Sequence, residues 1–231
     1  MTAIKFLEPD SKIISRRNAI IECLYDLLPD DCVIEDEREL KPFETDAFTA
    51  YRRMPLASLA GGAIPQEDAI VIGVSKMTKL LEVDFDNRVA IVEAGATNLS
   101  ISDAVSNDGF FYAPDPSSQL ACTIGGNIGM NSGGAHCLKY GVTTNNLLGV
   151  KLLGIVTEAT VRLIAKPAGA RPVLFGFDDS EVAGACVADI IGSGIIPVAI
   201  EFMDKHAIDI CESFAHAGYP MDVQALLIIE G

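Results

Sequence analysis

Residues 114–141 read PDPSSQLACTIGGNIGMNSGGAHCLKYG, and this stretch decides how the rest of the chain is read. Gly125, Gly126, Gly129, Gly133 and Gly134 are crowded together, with Ser117, Ser118, Thr123, Asn127, Asn131 and Ser132 between and before them. Glycine lets a backbone approach a ligand closely and adopt positive φ, so successive N–H groups can converge on an anion, while hydroxyl and amide side chains add donors. A diphosphate is the natural guest for such a segment. A turn that only reverses the chain would use the same residues, and composition leaves both uses open. Two familiar phosphate loops are excluded: no Lys follows a glycine at the GxxxxGK[ST] spacing, and Gly125 to Gly134 does not match GxGxxG between strand and helix. The stretch from 113 to 141 is expected to be a long loop, kept ordered by Leu120, Ile124, Ile128 and Met130.

Upstream, β-branched runs predict strands at Ala69–Val74 and Arg88–Glu93. Between them and the glycine segment a short helix is expected from Thr97 or Asn98, with Gly109 beyond its end. Nearer the N-terminus, Ile20, Ile21, Leu24, Leu27 and Leu28 mark an amphipathic helix over residues 13–28, stopped by Pro29. The stretch Asp30–Met54 carries no clean period and is expected to be an ordered connector. Downstream, strands are predicted at Leu147–Leu153 and Ile155–Ile164, and the pattern changes at Lys166-Pro167. A second unit then reads strand Pro172–Phe177, helix Ser180–Ile191, strand Ile196–Phe202, helix Asp204–Ala217 and strand Ala225–Ile229. The last of these is expected to lack a partner.

The chain has 231 residues, 49% of them hydrophobic and 21% charged, with a mean hydropathy of +0.32, which excludes a disordered or fibrous chain. Seventeen basic against 32 acidic residues give a net charge of −15, which repels a phosphate backbone, so nucleic acid is not an expected partner. The longest apolar stretches, such as Ile190–Ile200, fall short of the roughly 18 residues that span a bilayer. The first twenty residues lack a secretory pattern, and a cytoplasmic protein is expected. Cys23, Cys32, Cys122, Cys137, Cys186 and Cys211 show no zinc spacing and read as reduced, mostly buried thiols. His136, His206 and His216 are scattered and read as loop or surface residues, so no metal is assigned.

The run from Pro114 to Gly141 resembles the flavin-binding loop of the vanillyl-alcohol-oxidase-type (PCMH-type) FAD-binding family, and within it the FAD-linked subunits of the glycolate-oxidase kind. The likeness extends through RVAIVEAGATNLSISDAV and GFFYAPDPSS upstream, and through GIVTEATVRLIAKP and GIIPVAIEFMD to HAGYPMDVQALLIIEG downstream. It implies an α+β chain: a two-subdomain FAD-binding domain over residues 1–166, followed by part of an α/β cap domain over 167–231. It implies FAD as cofactor, with Pro114 and Asp115 beginning the loop and Ser118, Cys122, Thr123, Gly125, Gly126 and Asn127 lining the diphosphate and ribityl chain. Asn131 would lie close to the flavin. Gly154, Ile155 and Val156 match a backbone segment that contacts the cofactor, and Ser58, Gly61 and Gly62 match the end of a first phosphate loop. The same resemblance implies oxidation of a small 2-hydroxy acid, glycolate or D-lactate, by hydride transfer to the flavin. Companion FAD-domain and iron–sulfur subunits would be its partners, with attachment to the inner membrane through them.

The chain departs from the family in three places. A strand–helix–strand unit of roughly 30 residues is missing before Ser58. A comparable insertion is missing between Leu152 and Gly154, and the family's cap continues beyond the counterpart of Gly231. No catalytic base is assigned. A chain that keeps the FAD fold as a binding or assembly subunit without turnover is the alternative.

Overall fold

The computed structural model describes residues 8–45, 52–55, 57–58, 65–167, 169 and 171–231. They fall into two compact units, Met1–Thr78 and Lys79–Gly231, which are described separately.

In the first unit the expected single helix is two: α1 (Ser11–Ile14) and α2 (Arg17–Leu27). Asp10 caps α1 by accepting from the Lys12 N–H at 2.8 Å. The break follows from Ser15, whose hydroxyl donates to Lys12 O at 2.9 Å, a local bond that competes with helix continuation. α2 stops at Leu28, which is extended because it precedes Pro29. Of the predicted apolar stripe, Ile21 is buried whereas Leu27 is exposed. The connector holds the single turn α3 (Glu37–Leu40), capped by Asp36 and anchored by buried Leu40. β1 (Ala57–Ser58) pairs in parallel with β2 (Ile70–Val71), which is shorter than the predicted strand.

The second unit opens with a hairpin of β3 (Leu80–Asp84) and β4 (Val89–Glu93). β3 has no counterpart in the sequence reading. The turn is held by the Asp84 carboxylate, which accepts from the Asn87 N–H and side-chain amide at 2.9 and 2.7 Å. Helix α4 (Asn98–Val105) follows, with Thr97 as its cap and Gly109 beyond it at φ +81°. Short β5 (Phe110–Phe111) leads into the glycine segment, which contains α5 (Ile124–Met130) and α6 (Cys137–Tyr140). The expected long loop is therefore partly helical. Its apolar Ile124 and Ile128 are four apart and pack on the core, a period that the glycines mask in the sequence. Strands β6 (Leu147–Leu152) and β7 (Val156–Arg162) complete an antiparallel sheet of order β3-β4-β7-β6, and β8 (Ile164–Ala165) pairs with β5. Ala90, Val92, Ile101, Val105, Tyr112, Ile124, Ala159, Val161 and Leu163 form the core between this sheet and its helices. Each large apolar side chain buried there contributes about 1.5–3 kcal/mol.

β9 (Pro172–Phe177), α7 (Ser180–Gly192), β10 (Ala199–Asp204), α8 (Lys205–Ala215) and β11 (Ala225–Glu230) form the remainder. β11 pairs antiparallel with both β9 and β10, so those two run parallel with α7 crossing between them. The last strand, expected to be unpaired, is the centre of its sheet. Ala183, Ala225 and Leu227 are its fully buried contacts, with Phe177, Cys186, Val187, Ile200 and Ile229 packed around them. The six cysteines are free, and all are exposed or half-buried, contrary to the expectation of burial. Among the described residues no helix is long and apolar enough to cross a membrane.

Candidate functional site

The glycine segment is built onto the end of β4. Ala94 donates its N–H to Thr157 O at the start of β7 (2.9 Å), and its carbonyl accepts from the Gly125 N–H at 2.8 Å. Ile124 N–H reaches Ala96 O at 2.9 Å. A Cβ on Gly125 would lie 3.2 Å from both the Cβ and the carbonyl oxygen of Ala94, so glycine here lets α5 sit directly on the strand end. Thr123 caps α5 by accepting from the Gly126 N–H at 3.3 Å. Beneath it lies a buried amide pair: Asn127 Nδ2 donates to Asn98 Oδ1 at 3.0 Å, and Asn98 Nδ2 donates to Pro114 O at 2.5 Å. These bonds satisfy polar groups that burial would otherwise make costly, and they tie α4, α5 and the PDP turn into one piece.

Beyond α5 the chain turns at Asn131 in the left-handed region (φ +49°), with its Oδ1 accepting from the Thr144 N–H at 3.0 Å. Thr143 bonds Ser132 O through both its N–H and its hydroxyl, at 2.9 and 2.7 Å. Asn146 donates to Tyr140 O and Val142 O and accepts from the Arg162 guanidinium. Gly134 has no room for any side chain: a Cβ would fall 2.1 Å from Asp115 O.

That close approach sets up the one charged cluster of the segment. The Asp115 carboxylate accepts from the His136 N–H through Oδ1 at 3.2 Å and bonds the imidazole Nδ1 through Oδ2. On the opposite side, His136 Nε2 lies 3.4 Å from Glu230 Oε2 on β11. The imidazole is about two-thirds buried. Burial alone would lower its pKa, but the bonds and charges of Asp115 and then Glu230 outweigh it and hold the pKa above the ordinary value. His136 is thus a clamped group and not the loop-surface residue that the sequence suggested. No spacing signal links Asp115, His136 and Glu230. Tyr112 was also missed: its ring is core, and burial, the largest influence, pushes its hydroxyl up to about 12. That hydroxyl makes no well-formed hydrogen bond, and the neighbouring Thr143 hydroxyl donates to Ser132 O.

The structure gathers Pro114, Asp115, Ser118, Cys122, Thr123, Gly125, Gly126, Asn127 and Asn131 into one segment against the end of β4. Pro114 is buried, Ser118 is exposed, and the Ser118 carbonyl accepts from the N–H groups of Ala121 and Cys122. Val156 opens β7, next to the Thr157 that Ala94 bonds. Gly154, at φ +78°, and Ile155 form the reversal between β6 and β7, closed by Leu153 N–H to Ile155 O at 2.9 Å. A tight turn therefore joins β6 directly to β7. Ser58 lies in β1 of the first unit, and Gly61 and Gly62 fall outside the described residues.

The geometry changes how the glycines would serve a cofactor. The N–H groups of Ile124, Gly125 and Asn127 are engaged inside the protein, and the Asn127 amide faces Asn98. Open space lies instead at Gly126, where a Cβ would meet only Thr123 Oγ1 at 3.4 Å, and at Gly129, where it would meet nothing within 4 Å. Leu120 and Met130 on the same segment are 77% and 81% exposed. Small residues, exposed apolar side chains and the free surface of Ser118 fit the flank of a large, partly planar cofactor such as FAD.

Comparison with known proteins accords with this architecture. Residues 56–163 match the family of FAD binding domains, and residues 166–231 match the C-terminal domain of FAD linked oxidases. Together the two matches span most of the chain, which is related to the FAD-linked oxidases and has the mixed α+β architecture of their FAD binding domain.

Among its relatives is the glycolate oxidase subunit GlcD of Escherichia coli strain K12, 35% identical over 93% of this chain and 56% of that protein. The subunit of the same name from Bacillus subtilis is 35% identical over 75% of this chain and 44% of its own length. A D-lactate dehydrogenase of Archaeoglobus fulgidus is 34% identical over 75% of this chain and 46% of its own. The chain thus spans about half the length of the curated relatives it matches. The Escherichia coli alignment runs over 277 positions, whereas 93% of this chain is about 215 residues, so about 60 positions of the relative have no counterpart here. In fold, the chain superposes on alkyldihydroxyacetonephosphate synthase with a TM-score of 0.74, at 16% identity, over 99% of this chain and 57% of that one.

Proposed function

We propose that this chain binds FAD along the open flank of the glycine segment and is the flavin-bearing part of a 2-hydroxy-acid oxidoreductase, with glycolate first and D-lactate second as substrate. The observation that carries the reading is the succession, in one chain, of a match to FAD binding domains and a match to the C-terminal domain of FAD linked oxidases. Residues 1–166 are assigned to cofactor binding and 167–231 to the cap. Bound FAD would accept a hydride from C2 of the substrate. The chain's own part is to seat the cofactor. Thr123, Asn98 and Asn127 fix the shape of the segment, Gly126 and Gly129 leave its flank open, and Ser118, Cys122 and Asn131 border it. Pro114 and Asp115 close one end of the segment, and Val156 with Ile155 lies beside Thr157 at the strand end.

His136 is a poor candidate for the base that takes the hydroxyl proton, because both ring nitrogens face carboxylates that favour its protonated form. In this reading electrons pass to an iron–sulfur partner, with a companion FAD-domain subunit completing a cytoplasmic complex held at the inner membrane. The absorbance spectrum of the purified protein, before and after anaerobic addition of glycolate or D-lactate, tests the proposal. A flavin spectrum that bleaches with either acid supports it, and colourless protein that takes up no FAD refutes it.

A second reading, an assembly subunit without turnover, draws on the internal engagement of the Ile124, Gly125 and Asn127 N–H groups, which leaves few free donors for a diphosphate. Flavin that is bound but never bleached would favour it.

A further inference from the structure

The Asp115–His136–Glu230 cluster joins parts of the chain that are distant in sequence. Asp115 and His136 belong to the two ends of the glycine segment, pressed together where Gly134 leaves no room for a side chain. Glu230 belongs to β11, the central strand of the cap sheet. One imidazole thus stands between two carboxylates, and its side chain is shielded to about one-third exposure while Asp115 and Glu230 are 21% and 24% exposed. Partly shielded charges at this spacing are screened far less than surface pairs.

We propose that His136 is a positioning residue, a proton-dependent latch that holds β11 of the cap against the glycine segment when protonated and releases it when neutral. The reasoning is electrostatic. With the imidazolium present, both carboxylates are attracted to the same cation, and each ring nitrogen donates. Once the proton leaves, only one nitrogen can donate, so one carboxylate faces a lone pair, and the two acids are left with no cation between them. The groups facing the imidazole in the structure are Asp115, Glu230 and the ring of Tyr140, whose centroid is 6.5 Å away. The Lys139 ammonium is directed over the Tyr140 ring at 5.6 Å.

The sign follows from linkage. A histidine whose pKa is higher in the latched form contributes fully below its ordinary value, near 6.5, and progressively less as pH rises through the latched value. The cap therefore loosens on the alkaline side. The latch rests on the assignment of the glycine segment as cofactor flank only for its functional meaning, and its test needs no cofactor.

The experiment is hydrogen exchange read by mass spectrometry on the whole chain at pH 6 and pH 9, with exchange times scaled for the intrinsic rate at each pH. In the parent, protection of peptides covering 225–231 and 132–140 should fall at the higher pH, by about tenfold for each unit separating the latched and released titrations. His136→Gln keeps a polar side chain but cannot titrate, and should show the same protection at both values. Glu230→Gln should abolish the pH response of the 225–231 peptide while leaving part of that of 132–140, since the Asp115 contact lies wholly within the glycine segment. Equal pH responses in parent and His136→Gln, or no response in the parent, overturn the proposal. If either variant unfolds, the parent's own profile still decides: a loss of protection outside the two peptides as large as within them counts against a latch. None of these outcomes bears on whether flavin binds, so the two readings fail separately.

Discussion

Replacing Gly134 by alanine tests whether the tight contact between the two ends of the glycine segment is structural. The added Cβ would stand 2.1 Å from Asp115 O, 2.3 Å from its carbonyl carbon and 2.4 Å from Oδ1. Two of these are backbone atoms, which cannot swing aside as a side-chain tip can. Restoring even a 3.0 Å separation requires a displacement of about 0.9 Å between Gly134 and Asp115. The bond from the His136 N–H to Asp115 Oδ1 is already 3.2 Å long, so a shift of that size along its direction breaks it. Overpacking of this kind costs about 1–3 kcal/mol, and the loss of a charge-assisted bond adds about 1.5 kcal/mol at the lower end of its range, since the site is part-exposed. The expected loss is about 2.5–4.5 kcal/mol. Urea unfolding followed by far-ultraviolet circular dichroism should show a lower midpoint at an unchanged slope. A Gly134→Ala protein within about 0.5 kcal/mol of the parent would refute the reasoning, because neutral surface changes fall in that band.

Gly184 lies inside α7 with nothing within 4 Å of a new Cβ, so Gly184→Ala should stabilise the protein by about 0.5–1 kcal/mol in the same assay. Tyr112→Phe removes a buried hydroxyl that lacks a good partner and should be neutral or stabilising by up to about 1 kcal/mol, whereas a clear loss would show that the hydroxyl is bonded. In the parent, alkaline difference spectra should find one tyrosine ionising near about 12, and Tyr112→Phe should delete that step. Asn127→Ala strands the buried Asn98 carbonyl oxygen and should cost about 1–3 kcal/mol, measured by urea midpoint; a smaller loss would mean that the amide pair is dispensable.

Elements with a clear period and a cap were legible in the sequence. Strand Pro172–Phe177 was read at its observed limits, and Thr97 with Gly109 bracketed α4 as expected. Where local bonding overrides the period, the reading failed: Ser15 breaks one helix into two, and glycines conceal α5. β3 was missed because Leu80-Leu81-Glu82-Val83-Asp84 lacks clean alternation, and a bulge shifts its register against β4 between Leu80 and Glu82. The residues of the candidate site are contiguous in sequence and were found as a motif. Their internal use was not, because whether an N–H faces a ligand or Ala94 O depends on a strand end about thirty positions away. The clamp on His136 was out of reach for the same reason, since its partners stand 21 and 94 positions off.

The central place of β11 has a consequence for how the chain is made. β9 and β10 emerge first and cannot hydrogen-bond each other, because the slot between them belongs to residues 225–230. Until that segment is synthesised, two strands expose facing edges, and α7 has only part of its floor to pack on. Non-local pairings of this kind close late and slowly, and open edges in the interval invite pairing with other chains. A chain whose β9 and β10 are free while residues 225–230 are not is at its most association-prone, and docking of those six residues ends that state.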